Sequence, residues 1–286
     1  MFGVIVCQDC AFRAFRASVA ARLVLSTMSE EPTAEATVEL DDVTVRFGGL
    51  LALDQVSFDV QAHEIVGLIG PNGAGKTTAF NVICGFQKPD EGAVRFPALG
   101  RDALRTPQLC AAGVARTLQG VGLFTHMSVL ENVMAGAQSH VGRGFASSLL
   151  GLPAGHRHEK KLREDAFVQL ERLGIAKFAS ALPGSIPYGI SKKVSIARAL
   201  MGRPSLLLLD EPASGLDENE LRELAELIVQ LRESMSVLLV EHNMDFVMPL
   251  VHRLVVLNFG KVIATGVPAK ISTNPDVLAA YLGVDP

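Results

Sequence analysis

The apolar positions follow three patterns. From Thr37, Val38, Leu40, Val43, Val45 and Phe47 form a strand-rich stretch that Gly48-Gly49 breaks. Val56, Phe58 and Val60 then alternate strictly with Ser57 and Asp59, which predicts a half-buried strand. The second pattern is the short unbroken run: Ile65-Val66-Gly67-Leu68-Ile69, Leu206–Leu209 and Val237–Val240. Such runs read as strands covered on both faces, as in a parallel sheet. The third is helical. Ser128-x-x-Glu131 is a capping box opening a helix to about Gln138. Leu162, Ala166, Leu170 and Leu173 share one helix side, and Gly174 stops it. Asp217 and Glu220 open a helix whose buried face is Leu221, Leu224, Leu227, Ile228 and Leu231.

Shorter signals fill the gaps. Ala79–Cys84 reads as a helix stopped by Gly85. Lys88–Gly92 reads as a turn before a strand over Ala93–Phe96, so a small antiparallel sheet brackets the first buried strand. Ser139–His156 reads as a loop. Leu254–Leu257 and Val262–Thr265 flank a turn, and a helix lies near Asp276–Leu282.

The stretch after Ile69 carries chemistry. Gly70-Pro71-Asn72-Gly73-Ala74-Gly75-Lys76-Thr77-Thr78 fits G-x-x-x-x-G-K-[ST] between a strand and a helix, the phosphate-binding loop. Its glycines turn backbone N–H groups toward phosphate oxygens, and the helix N-terminus adds partial positive charge. Lys76 can reach the β- and γ-phosphates, and the Thr77 hydroxyl can ligate Mg2+. Asp210 and Glu211 stand where a buried strand emerges, where open α/β sheets place ligands. Asp210 can hold Mg2+ through water, and Glu211 can accept a proton from an attacking water. His242, just beyond another strand, can contact a γ-phosphate, and Gln119 can touch the metal or the water.

Bulk properties narrow the classes. The chain has 286 residues, 49% of them apolar, and a net charge of −4, which gives no pull toward nucleic acid. No apolar run reaches the roughly 18 residues of a bilayer span. Four scattered cysteines make no disulfide framework. Residues 1–36 differ from the rest, with Arg13, Arg16 and Arg22 among alanines, then an acidic stretch. They read as an organelle presequence or, by preference, as a disordered or spurious extension from an upstream start, with Met28-Ser29-Glu30-Glu31 the natural beginning. Cys7-x-x-Cys10 lacks the second pair of a zinc site. His156 and His158 beside Lys160 and Lys161 suit a solvated helix start better than a metal or anion site.

The order of these motifs resembles the ATP-binding subunit of an ABC transporter from about residue 38 to 283. It runs from Phe47 through the phosphate loop, Gln119 and a helical insertion to Tyr188-Gly189 and Ser195–Leu200. Leu206–Glu211, Ser214-Gly215-Leu216-Asp217 and His242 complete it. Gly113–Gln119, Met127–Val133, Val240–Asp245 and Asn274–Gly283 are similar to the branched-chain amino acid (Liv-type) importer ATPases. Urea, short-chain amide and other uptake systems share that pattern, so the cargo stays open.

The resemblance implies an α/β fold: a P-loop NTPase core of ABC-ATPase type, an antiparallel β subdomain and a helical subdomain at about 120–188, all within a domain at 37–286. It implies ATP and Mg2+ as ligands, Phe47 stacking on adenine, Glu211 as general base and His242 as switch histidine. It further implies that two such subunits, alike or different, sandwich two ATPs. Tyr188 and Gly189 would then face the partner's nucleotide. Two transmembrane permeases would bind the helical insertion, fed by a substrate-binding protein, at the cytoplasmic face of the membrane. One departure stands out. Where the family signature reads Leu-Ser-Gly-Gly-Gln or Leu-Ser-Tyr-Gly-Gln, this chain has Ile186-Pro187-Tyr188-Gly189-Ile190. Pro187 has neither the hydroxyl nor an N–H, while Ser191 is expected to cap the following helix. The alternative reading is therefore an ATP-binding but weakly hydrolysing partner in a heterodimer, or the ATPase of a urea, amide or lipid system. The guanine-reading Asn-Lys-x-Asp of a GTPase is absent from the sequence.

Overall fold

The computed structural model describes residues 35–117, 120–140 and 153–282. β1 (Ala36–Phe47) and β2 (Leu50–Gln61) form an antiparallel hairpin that turns at Gly48-Gly49. β3 (Ile65–Ile69) leads through the phosphate loop into α1 (Lys76–Ile83). β4 (Glu91–Phe96) and β5 (Arg101–Asp102) return to the hairpin and give a sheet of order β2-β1-β4-β5. β6 (Val114–Arg116) precedes the helices α2 (Val129–Met134), α3 (Pro153–Arg172) and α4 (Tyr188–Leu200). β7 (Leu206–Asp210), α5 (Glu218–Arg232), β8 (Ser236–Val240) and α6 (Met244–Val247) follow. β9 (Arg253–Asn258), β10 (Lys261–Gly266), α7 (Pro268–Ile271) and α8 (Pro275–Leu282) end the described chain. The second sheet has the order β10-β9-β3-β8-β7-β6, parallel except for β10 on β9.

Every residue of β3, β7 and β8 is buried. The two-residue period of a strand explains how. Ile65, Ile69, Leu207, Leu209, Val237 and Leu239 pack against helix residues such as Leu170, Val194 and Ile228. Val66, Leu68, Leu206, Leu208, Leu238 and Val240 point the other way, onto Phe80 of α1 and the inner face of the antiparallel sheet. The parallel sheet is thus the middle layer, and its strand ends form one rim. Arg253 ties the layers together with ion pairs to Asp59 at 3.1 Å and Glu64 at 2.9 Å.

Both capping boxes form as expected, at Ser128/Glu131 and at Asp217/Glu220. Some boundaries differ. α1 begins at Lys76, not Ala79, because Gly75 at φ 104° turns the backbone straight into the helix. β4 begins at Glu91, inside the expected turn, because Glu91 pairs with Thr44 while the Asp90 N–H donates to the Thr44 carbonyl at 2.8 Å. α2 ends at Met134 and tightens into a 3-10 turn over Ala135–His140. Pro153–His156, expected in a loop, belong to α3. The amino-terminal readings, Cys7 and Cys10 included, and the side chains of His156 and His158 lie outside the described residues. Among the described residues no helix is long and apolar enough to cross a membrane.

His252 joins β3 to the approach of β9. Its N–H donates to the Ile65 carbonyl at 2.9 Å, and its Nδ1 accepts the Ile65 N–H at 3.1 Å. A ring nitrogen that accepts is unprotonated, so the imidazole is neutral. Burial lowers its pKa from 6.5 to about 4. The unfolded chain therefore binds the proton more readily than the fold does. The stability this contributes is complete above pH 6.5 and is lost as the pH falls toward 4, by roughly 3 kcal/mol. Urea unfolding from pH 7.5 to 4 should show that loss in the wild-type chain. It should be largely absent in His252→Asn, whose amide oxygen can accept the same N–H.

Candidate functional site

The loop after β3 is shaped by two close approaches. Gly70 has φ 151°, and a Cβ there would lie 2.1 Å from the Leu257 carbonyl oxygen on β9. Gly75 has φ 104°, and a Cβ there would lie 2.6 Å from the Ala52 oxygen on β2. The Gly260 N–H donates to the Ala74 carbonyl at 3.1 Å. Tyr281 on α8 reaches the Gly70 backbone with its hydroxyl, and burial pushes its pKa up to about 12. α1 has no side chain on its N-cap and no acid in its first turn, so its amino end keeps free N–H groups and partial positive charge. The buried Lys76 folds back, its Nζ donating to the Gly70 carbonyl at 2.7 Å and the Pro71 carbonyl at 2.8 Å. Burial lowers its pKa, and the nearby Glu211 carboxylate opposes that shift.

β8 lies between β3 and β7, so three adjacent strand ends converge on this rim. Asp210 ends β7, and its Oδ2 takes a 2.7 Å bond from Arg116 Nη2. Arg116 comes from β6; its Nη1 donates to Asn81 of α1 at 2.8 Å, and its guanidinium lies over Phe80 and Phe86. Glu211 follows at φ 47° and is one-third exposed. His242, just past β8, sets its Nδ1 4.0 Å from Glu211 Oε1. Lys76, Asp210, Glu211 and His242 therefore share one rim. Thr77 and Thr78 stand in the first turn of α1, and Thr77 is exposed. Gln119 lies outside the described residues. Among those residues no group of three or more His, Cys, Asp or Glu side chains could hold a metal.

Phe47 ends β1, half exposed, and pairs with Leu50 two residues ahead of the Ala52 carbonyl that touches the loop. Tyr188 packs against Gly215, and Gly189 against Glu220. Pro187, with extended backbone, is the N-cap of α4, and no side chain caps that helix. The expected capping by Ser191 does not occur. The helix starts three residues earlier, so Ser191 is buried inside its first turn, and its N–H donates to the Pro187 carbonyl at 3.0 Å.

Four partners escaped the sequence reading. Arg116 grips Asp210 across 94 positions. Lys192 Nζ donates to the Glu211 carbonyl at 3.0 Å. Glu241 is fully buried beside His242. Asn132, also fully buried, bonds the backbone of Phe124, Met127 and Ser128. That pins a loop whose exposed Phe124 lines a groove of about 400 Å³ with Cys110, Ala135 and Arg198. Only Asn132 had a local signal, a polar residue inside an apolar helix face.

A phosphate loop on the rim of a parallel sheet, with acids at the end of a strand one removed from it, defines a P-loop nucleoside triphosphatase. The ABC transporter family model matches residues 53–214, and the model for branched-chain amino acid ATP-binding cassette transporters matches residues 261–286. The chain is 42% identical over 246 residues to the high-affinity branched-chain amino acid transport ATP-binding protein LivG of Salmonella typhimurium, covering 85% of this chain and 96% of that one. Its fold matches the ADP conformation of MJ1267, an ATP-binding cassette of an ABC transporter. The TM-score there is 0.76 at 30% identity, over 88% of this chain and 100% of that one. It also matches a dimeric post-hydrolysis cassette, MJ0796 bound to ADP and Pi. In that case the TM-score is 0.67 at 25% identity, over 81% of this chain and 98% of that one. The chain belongs to the ABC transporter family. It is an ATP-binding subunit that hydrolyses ATP, with the fold of an ABC ATPase.

The Arg116–Asp210 pair makes a stability test. Asp210 is 5% exposed, so removing its partner strands a buried charge. Arg116→Met should lower unfolding free energy at neutral pH by about 3–5 kcal/mol. Denaturant unfolding of the two chains measures it.

Proposed function

We propose that this subunit couples ATP hydrolysis to uptake of branched-chain or related amino acids, working peripherally on the cytoplasmic face of the membrane. One observation carries the hydrolytic reading. Glu211 and His242 leave adjacent strand ends 4.0 Å apart, on the rim that bears the phosphate loop. The match at residues 261–286 and the kinship with LivG support the cargo class over urea, amide or lipid systems.

Each group has a role in this reading. Phosphate oxygens replace the Gly70 and Pro71 carbonyls as partners of Lys76, while the N–H groups of the loop and of α1 hold the remaining oxygens. Phe47 stacks on the adenine. Glu211 takes the proton of the attacking water, and His242 bonds the γ-phosphate. The oxygen donors fit Mg2+: the Thr77 hydroxyl, Gln119 and Asp210, where Arg116 engages Oδ2 and leaves Oδ1. When bound, Mg2+ neutralises charge on the phosphates.

Tyr188 and Gly189 open α4, whose uncapped amino end suits engagement of a nucleotide held by a second ATP-binding subunit. The dimeric MJ0796 structure is in keeping with that arrangement. The groove beside Phe124 offers an apolar seat for permease segments, and the binding protein would act through those permeases. Residues 37–286 work as one domain, with the helices near 120–188 as its docking face.

Pro187 favours a second reading, a weakly hydrolysing partner. The uncapped amino end of α4 can still face an anion, yet the hydroxyl is missing. A hydrogen bond to a charged group contributes about 1.5–3 kcal/mol. If closure depends on it, Pro187→Ser should raise ATP turnover about tenfold or more; unchanged turnover would show that the backbone suffices. For the base, Glu211→Gln should keep ATP affinity while turnover falls at least about a hundredfold. Full turnover in that variant would remove Glu211 from the mechanism.

A further inference from the structure

Glu241 is 0% exposed, and its partners belong to two different loops. Oε1 accepts the Ala213 N–H at 2.6 Å, from the loop after β7. Oε2 accepts the His242 N–H at 3.1 Å and the Asn243 N–H at 3.4 Å, from the loop after β8. Burial pushes its carboxyl pKa up, while these three N–H groups and the neighbouring His242 pull it down. Three converging donors suit an ionised carboxylate, which only accepts.

The first loop needs such a grip. Glu211 holds φ 47°, a left-handed conformation that a side-chain-bearing residue keeps only when its surroundings impose it. Its own N–H donates to the Val240 carbonyl at 3.0 Å, and its carbonyl accepts Lys192 Nζ. Two residues on, Glu241 fixes Ala213, and the Ser214 N–H closes back on the Glu211 carbonyl at 3.3 Å. The other Glu241 oxygen fixes the backbone of His242 itself.

From this geometry we infer that Glu241 is the positioning residue that sets the distance between Glu211 and His242, stapling the two loops through one carboxylate. The inference rests on the reading of Glu211 and His242 as the hydrolytic pair. Glu241 touches no reacting atom; it acts through the two residues that do.

Glu241→Gln keeps the shape but changes one acceptor oxygen into a donor, so only one loop can stay bonded. ATPase kinetics of the full chain are measured for Glu241→Gln, Glu211→Gln and the double variant, with melting temperature and nucleotide affinity for each. The expected result is a kcat lowered about tenfold or more in Glu241→Gln, with the ATP KM within about twofold of wild type. In the Glu211→Gln background the second change should lower single-turnover hydrolysis by clearly less than it does in the wild-type background, because the part of its effect that passes through Glu211 is already lost. Unchanged kcat, or a parallel loss of kcat and ATP affinity, overturns the proposal. So does a full multiplicative loss in the double variant. If Glu241→Gln does not fold, Glu241→Asp, whose shorter carboxylate spans less of the gap, carries the same kinetic test. Failure of both to fold makes the residue purely structural and overturns the proposal. Full activity of Glu211→Gln alone removes the base assignment, and the proposal with it, whatever Glu241→Gln does.

Discussion

The phosphate loop depends on two places where backbone meets backbone with no room for a side chain. At one end Gly70 lies against the Leu257 carbonyl of the parallel sheet, and at the other Gly75 lies against the Ala52 carbonyl of the antiparallel sheet. The loop is therefore wedged between two independent pieces of structure. Its left-handed turns, the uncapped start of α1 and the inward fold of Lys76 follow from that wedge. The hairpin that carries Ala52 also presents Phe47, so the constraint that shapes the phosphate seat also brings an exposed ring near it.

Two buried carboxylates on the rim are held in opposite ways. Asp210 meets a cation, with Arg116 itself packed over two rings. Glu241 meets backbone N–H groups from two loops. An ion pair fixes a carboxylate through one strong contact at a single oxygen. Several weaker donors suit one that must hold two segments in register. Both avoid the cost of an unpaired buried charge.

Much of this fold could be read from the sequence because its decisive signals are local. The runs at Ile65–Ile69, Leu206–Leu209 and Val237–Val240 are unbroken since both sheet faces are covered, and the structure buries each on both sides. The capping boxes at Ser128 and Asp217 act over three residues and stand where expected. The misses are of another kind. Ser191 looked like a cap because serine favours that role. The extended backbone of Pro187 starts the helix first and leaves the serine inside it. Arg116 and Glu241 gave no signal, because the partners that define their roles, Asp210 for Arg116 and Ala213 for Glu241, lie 94 and 28 positions away and only the strand order joins them. Periodicity reports which face of an element is covered, not which polar groups meet across the rim.

The strand order also bears on when the site can first exist during synthesis. β3 comes early in the chain, yet both its neighbours in the sheet, β8 and β9, come late. The Leu257 carbonyl that shapes Gly70 is made nearly two hundred residues after the loop it confines. A ribosome that has finished the phosphate loop therefore carries no phosphate site. A nascent chain halted before β9 would lack the strand that completes it. Contacts of such long sequence separation slow folding, and the unpaired edges and apolar faces of β3 would need protection until β8 and β9, in the last fifth of the 286 residues, emerge.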